Sequence, residues 1–215
     1  MPSRSRGSGC SMHCVRPISL LLLLLLLVGC AGITPRLDAP PQVVTEQKPA
    51  SPAGLPEPAQ AQLRQAISAM QTGDEAQAVL LLQGLVEAYP DLLSPWLNLG
   101  ILRLRTGQLE SADAALQQAL RLDPENPVAR HQRAIVLRHQ GRFKEALALY
   151  QALLAAHPDH ALGHRNLGIL YDLYLNQPQQ ALAHYRRYAA LSVDEQAESR
   201  VWIAELQRRI AAEDR

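Results

Sequence analysis

The sequence is short of several residue types, and each shortage removes a class of explanation. It holds three cysteines, Cys10, Cys14 and Cys30, and none after Cys30. The long C-terminal stretch therefore forms no disulfide and no cysteine metal site, and it offers no thiol for Cys–His chemistry. Its stability has to come from packing. There is no glycine-rich phosphate loop, no G-x-S-x-G and no H-E-x-x-H, so nucleotide, serine-hydrolase and zinc-protease chemistry lack a sequence basis. Carboxylate pairs such as Asp74–Glu75 and Asp194–Glu195 fall at predicted helix starts, where they complement the helix dipole. We therefore predict no catalytic residue, no cofactor and no enzyme. Beyond residue 29 there are 18 basic and 20 acidic residues, a net charge of −2 that argues against nucleic acid. Lysine is scarce: Lys48 and Lys144 stand against 19 arginines, which with the many Ala and Leu is the composition expected of a GC-rich genome.

What is present begins with an apolar run of 12 residues, Ile18 to Gly29. As a helix it covers about 18 Å of a hydrocarbon core of about 30 Å, too little for a comfortable span. Arg4, Arg6 and Arg16 precede it and no acidic residue comes before Asp38, the pattern of a secretory signal over residues 1–29. Leu27-Val28-Gly29-Cys30 then resembles a bacterial lipobox. The resemblance implies cleavage before Cys30 and acylation of its thiol and new amine. Three acyl chains would hold the protein on a bilayer, where one would be marginal. Ala31 follows in place of the Asp of an inner-membrane retention signal, which favours the periplasmic face of the outer membrane of a Gram-negative bacterium. A plain signal peptide with an incidental Cys and a retained signal anchor are the alternatives. Met12 opens a shorter leader, and a start there leaves the mature chain unchanged.

Residues 30–58 carry the lipidation site and a tether. Ala31 to Pro58 has seven prolines, no aromatic residue and no sustained apolar period, so it cannot bury enough surface to offset its ordering entropy. As an extended polyproline-like chain it reaches roughly 85 Å, enough to hold a domain off a membrane.

The remainder repeats itself every 34 residues. Gly73, Gly107 and Gly141 keep that spacing, as do Ala78, Ala112 and Ala146, and Pro90, Pro124 and Pro158. Ile67, Ile101, Ile135 and Ile169 carry it through a fourth copy, with the small residues Ala66, Gly100, Ala134 and Gly168 beside them. Glycine ends a first helix in a left-handed cap, proline stops a second helix, and small residues let the two helices approach, as Gly100 and Ala112 would do against each other. In the best copy Trp96, Leu99, Gly100, Ala112, Leu116, Ala119 and Pro124 stand in the signature columns, and there the sequence resembles the tetratricopeptide repeat family. The resemblance implies an all-α, right-handed α-solenoid of four helix pairs over 59–193, in copies 59–92, 93–126, 127–160 and 161–193. Each pair must stack on its neighbours to bury its apolar face.

The fourth copy departs from the pattern. Ala181 comes one residue late, and Asn176 and Gln177 replace the turn glycine, so its first helix is expected to run one residue longer, with Pro178 opening the second. Tyr171, Tyr174, Tyr185 and Tyr188 either fill the wider core or line a partner site. Residues 194–215 read as a capping helix, with a Ser192–Glu195 capping box and an apolar stripe of Trp202, Ile203, Leu206 and Ile210.

In this family the first helices line a groove for peptides or helices. By resemblance the partner-binding candidates are Leu97, Asn98, Ile101, Arg105, His131, Ile135, Arg138, Arg165, Asn166 and Ile169, with Leu63 and Ile67 at the first repeat. The isoleucine column is either the floor of that groove, suited to an amphipathic helix or extended apolar segment, or packing between repeats. It departs from the Asn with which some relatives clamp a C-terminal carboxylate, so no such clamp is predicted. Residues 127–193 carry 8 basic and 3 acidic side chains, while the first copy carries Arg64 against Asp74, Glu75, Glu87 and Asp91. That polarity reflects either solvated faces or an acidic partner near the last two repeats. Six of seven histidines lie between His131 and His184. His157, His160 and His164 could converge on a metal, although Pro158 breaks the helix between them and no carboxylate or thiol completes a set. The resulting expectation is a membrane-anchored periplasmic scaffold that binds a protein partner and assists an envelope complex, for example type IV pilus or secretin biogenesis. Service as an adaptor for peptidoglycan enzymes or proteases is the alternative, and a metal-binding protein the less favoured one.

Overall fold

The computed structural model describes residues 56–192 and 196–213. The apolar leader, Cys30, most of the tether and Glu195 of the capping box lie outside the described residues. Among the described residues the chain is helical throughout, with α1 Glu57–Thr72, α2 Glu75–Ala88, α3 Leu93–Arg105, α4 Leu109–Leu122, α5 Pro127–His139, α6 Phe143–Ala156, α7 Ala161–Ile169, α8 Pro178–Leu191 and α9 Gln196–Glu213. A π-helical turn, Leu170–Tyr174, continues α7. The first helix starts at Glu57, two residues inside the segment read as tether, because Pro58 suits the opening turn, where its missing N–H costs nothing.

Sequential helices pack in pairs, α1 on α2, α3 on α4, α5 on α6 and α7 on α8, and each second helix packs on the next first helix. The first helices also touch one another, α1 with α3 and α3 with α5, whereas the second helices do not to the same extent. The first helices are therefore the tighter, inner row of the solenoid. α9 lies on α8 and closes the C-terminal end, with Trp202 and Leu206 buried.

The turns follow the glycine column. Gly73, Gly107 and Gly141 have φ of +82°, +75° and +75°. The residue after each glycine donates its N–H to a carbonyl five residues back, Asp74 to Ala69, Gln108 to Arg103 and Arg142 to Leu137, the Schellman pattern. Each second helix then ends two residues before its proline, at Ala88, Leu122 and Ala156. Gly100 sits where a Cβ would lie 2.5 Å from Leu116 Cγ. The close approach is thus to Leu116, one turn beyond the Ala112 expected, because the larger side chain fills the space that the glycine leaves.

The extra residue of the fourth copy does not lengthen an α-helix. It is absorbed as the π turn: Leu175 N–H donates to Leu170 O at 3.1 Å, and Gln177 N–H reaches back six residues to Tyr171 O at 2.9 Å. Asn176, at φ +50°, takes the left-handed position, which Asn adopts more readily than other side-chain-bearing residues.

Candidate functional site: the inner row of first helices

The ten partner-binding candidates lie on α3, α5 and α7, and the structure shows what holds each. Leu97 and Ile101 belong to an aliphatic cluster with Leu63, Ile67, Leu82 and Leu116. Ile135 and Ile169 belong to a second cluster with Tyr150, Tyr171, Tyr185, Tyr188 and Trp202. Nine of the ten are buried and only Arg105 is exposed. The expected rim of free Asn, Arg and His side chains is thus engaged in packing and hydrogen bonds.

Asn98 Nδ2 donates to Ser94 O at 3.0 Å. Asn166 Nδ2 donates to His131 Nε2 at 2.8 Å, so the proton of neutral His131 sits on Nδ1, on the side of the Leu162 backbone. Burial pushes His131 down to about 3, helped by the nearby charges of His160, Arg165 and Arg138. Asn166 Oδ1 is buried with no hydrogen-bond partner among the described residues. Arg138 lies with its guanidinium carbon 5.6 Å from the Tyr174 ring centroid, and its NH1 donates to Tyr174 Oη at 3.3 Å. Arg165 lies 5.6 Å from the Trp202 ring centroid. Both arginines are stacked on aromatic faces, a contact that favours a planar cation. Arg105 Nε donates to Glu75 at 3.1 Å and its NH1 to Met70 O at 3.1 Å, tying α3 to the turn of the first repeat.

Charges also fasten one repeat to the next. Asp113 on α4 accepts from Arg133 on α5 and from Arg142 in the following turn, each at 2.7 Å. Arg142 continues to Glu145 at 2.7 Å and holds that carboxyl below its ordinary range. Arg209 on α9 pairs with Asp172 at 2.6 Å, and Asp172 also accepts from Tyr185 Oη at 3.4 Å. Burial, with Asp172 beside it, pushes the Tyr185 hydroxyl up. Much of the basic excess of residues 127–193 is therefore committed to internal pairs.

The three histidines read as a possible metal cluster do other work. His160 Nδ1 accepts from Gly163 N–H at 2.9 Å and caps α7. His164 turns to Pro158 O and to His184. Among the described residues no group of three His, Cys, Asp or Glu side chains is placed to hold a metal ion. Of the tyrosines, Tyr171, Tyr185 and Tyr188 are core, while Tyr174 is exposed beside Phe143. Sequence reasoning missed the cover that Tyr174 and Trp202 give to the two arginines. Nothing in a 34-residue period announces it, since both aromatics lie where the period fails.

Comparison with known proteins agrees with this geometry. Profiles described as tetratricopeptide repeat match residues 60–92, 97–161 and 131–190. Human Superkiller complex protein 3 is 28% identical over 135 residues, which is 63% of this chain and 8% of that protein. The TPR repeat-containing thioredoxin TTL4 of Arabidopsis thaliana is 34% identical over 85 residues, 40% of this chain and 12% of that one. This chain thus spans a small fraction of either relative. Among solved structures, MamA from Desulfovibrio magneticus RS-1 is 20% identical, covers 73% of this chain and 98% of its own, and superposes with a TM-score of 0.60. YrrB, described as a TPR protein with an unusual peptide-binding site, is 22% identical over 66% of this chain and 73% of its own, with a TM-score of 0.59. At these identities the structural likeness concerns the fold.

Proposed function

The chain belongs to the tetratricopeptide repeat family, whose members mediate protein–protein interaction, and from that premise we propose that it is a non-enzymatic, lipid-anchored scaffold of the periplasm. It receives a protein partner along the inner row of first helices and assists the assembly or regulation of an envelope complex, such as the secretin of a type IV pilus. The observation that carries this reading is the inner row itself. It brings α1, α3 and α5 side by side, with Ile67, Ile101 and Ile135 buried in the core behind it at the same position of each repeat. A row of that kind suits a segment running along several repeats. Arg105 is already exposed there, Val128 and Leu162 are partly so, and Asn166 Oδ1 can accept an N–H from a segment that parts the row. The anchor rests on Leu27-Val28-Gly29-Cys30 and on the short apolar run before it.

In-cell photocrosslinking tests the reading, with the leader and Cys30 intact. A photoreactive residue is placed at Arg105, Val128 or Leu162 on the inner row and, for comparison, at Leu80 or Gln151 on exposed positions of second helices. Specific adducts from the inner row alone are expected. Pilus or secretin components among them favour the assembly role, and peptidoglycan enzymes or a protease favour the adaptor role. Adducts from Leu80 or Gln151 with none from the inner row would overturn the proposed site.

A further inference from the structure

Three side-chain amides stand in one column of the inner row. Asn98, Gln132 and Asn166 keep the 34-residue spacing on α3, α5 and α7, where the first copy has Arg64. Each lies two residues before a member of the small-residue column, whose Gly100 and Gly168 meet Leu116 and Tyr185 of the second helices. Two residues are about 200° around a helix, so the amides face away from those second helices. The helices that pack on α3 are α1, α2, α4 and α5, its neighbours in the stack, and among the described residues none is laid across the amide column. The column is closed all the same: Arg64 is exposed, but Asn98, Gln132 and Asn166 are 0%, 2% and 0% exposed. Gln132 Oε1 and Asn166 Oδ1 are buried without a hydrogen-bond partner among the described residues. His131 takes the Nδ2 of Asn166, which fixes that amide and leaves Oδ1 to another donor. Two buried acceptors in one column require N–H donors spaced along it. The interior of a helix spends its N–H groups on its own carbonyls, so the cover is an extended segment. α3, α5 and α7 contain no acidic residue and hold Arg103, Arg105, Arg130, Arg133, Arg138 and Arg165, so that segment also carries a carboxylate.

We propose that the occupant is a segment of this chain, Gln42–Lys48, lying extended across the amide column and giving backbone N–H groups to Gln132 Oε1 and Asn166 Oδ1. Proline has no N–H to give, and Gln42–Lys48 is the longest run without proline between Ala31 and Pro58. Val43, Val44 and Thr45 are β-branched and suit an extended backbone. The lengths agree. Neighbouring helix axes lie about 8–10 Å apart, so α3 to α7 is about 20 Å, and seven extended residues cover about 23 Å. The stretch Pro49–Pro56 reaches about 25 Å, enough to carry the chain from the start of α1 past α3. The charges agree as well. Glu46 meets the helices that lack acidic residues, while Lys48, nearer α1 in the chain, falls towards the first copy with its Glu57, Asp74 and Glu75. The inference rests on the inner row as the partner site and adds its regulation: the tether holds the row shut until a partner displaces it.

The test places a photoreactive residue at Val43 of the full chain in detergent. An equal amount of isotope-labelled chain separates adducts within one chain from those between chains. Adducts within one chain, on peptides of α3, α5 and α7, are expected. Glu46→Arg should cut their yield about tenfold. Both positions precede α1, so neither change alters the packed helices. In cells, capture of a partner by a photoreactive residue at Arg105 should rise about tenfold with Glu46→Arg, because a competitor at millimolar effective concentration has been removed. Absence of Val43 adducts, or adducts on second helices, between chains or unchanged by Glu46→Arg, would overturn the proposal. Partner capture from Arg105 that Glu46→Arg leaves unchanged would overturn it too, with the partner site still standing. Val43 adducts on the inner row with no partner captured from Arg105 would support the docked tether and remove the partner site instead.

Discussion

Two cores run through one solenoid. In the first two repeats the column facing the small residues is aliphatic, Leu82 and Leu116, and the cluster around it is built from Leu, Ile, Val, Ala and Met. In the last two repeats the same column carries Tyr150 and Tyr185, and Tyr188, Tyr171 and Trp202 join it. The backbone pairs helices in the same way at both ends, so the repeat tolerates either filling. The aromatic end differs in being locked: Tyr188 stacks on Trp202 with planes 10° apart, Tyr185 tilts against it, and Asp172 takes Tyr185 Oη and Arg209 together. Leucine packs without a partner for its end group, whereas each buried tyrosine hydroxyl brings a polar atom that has to be satisfied. The aromatic core is thus the one where packing, hydrogen bonding and the capping helix depend on the same residues.

That dependence predicts the largest effect. Tyr185→Ala should remove about 3–5 kcal/mol of stability and should act locally, because stability in such arrays is a sum over repeats and their interfaces. Amide hydrogen exchange should show α7, α8 and α9 losing protection while α1 to α4 keep theirs. Equal loss along the whole chain would mean that the two cores unfold as one.

The contrast between the cores is also where the sequence was legible and where it was not. The period of 34 placed the helices, the glycine turns and the small-residue column, because each of those is set by backbone geometry within a few residues. It announced that the fourth copy was irregular from the late Ala181 and the missing glycine. It did not show how the extra residue is absorbed. A π turn and a longer α-helix have the same sequence cost, and tertiary packing decides between them. The isoleucines form one column in the sequence, yet whether such a column is floor or core depends on side chains that arrive from other helices, such as Leu82 and Leu116 in the cluster of Ile67 and Ile101 and Tyr150 and Tyr185 in that of Ile135 and Ile169. The histidines were misgrouped for a related reason. His160 and His164 look adjacent on a helix, but His160 lies at the N-cap, and the true neighbour of His164 comes from α8.

A second prediction concerns acid. The buried His131 titrates at about 3, well under the 6.5 of a free imidazole. The unfolded chain therefore binds a proton between those values that the folded chain does not, and stability must fall as pH drops below 6.5. A single such group contributes a slope of up to about 1.4 kcal/mol per pH unit across that window. Urea unfolding at pH 7 and pH 4.5 should show the loss, and His131→Gln should flatten it. Since His131 sits at the start of the aromatic half, the loss should be seen first in exchange from α5 to α8.

The two close approaches at glycine give a third contrast. In Gly100→Ala the new Cβ would lie 2.5 Å from Leu116 Cγ, and in Gly168→Ala it would lie 2.6 Å from both Cδ1 and Cε1 of Tyr185. Overpacking of this kind costs about 1–3 kcal/mol. Leu116 can change rotamer, but the Tyr185 ring is held by Trp202 and Asp172. Gly168→Ala should therefore lower the urea midpoint more than Gly100→Ala. The reverse order would show that the aromatic core gives way more easily than its contacts indicate.

The smallest effect separates backbone from packing at the turns. Nothing lies within 4 Å of a Cβ built at Gly107, whose φ is +75°. Gly107→Ala can therefore cost only the strain of a left-handed alanine, about 1–2 kcal/mol. Asn176 already holds that conformation at φ +50° in the fourth turn. Asn176→Gly removes a smaller strain but adds freedom to the unfolded chain, so the two terms oppose and the change should stay within about 0.5 kcal/mol. If Asn176→Gly proved strongly destabilising, Asn would be acting through its side chain and the fourth turn would depend on more than its φ. If Gly107→Ala proved neutral, the regular turns would be softer than their Schellman bonds imply, and the π turn would need no special residue to close it.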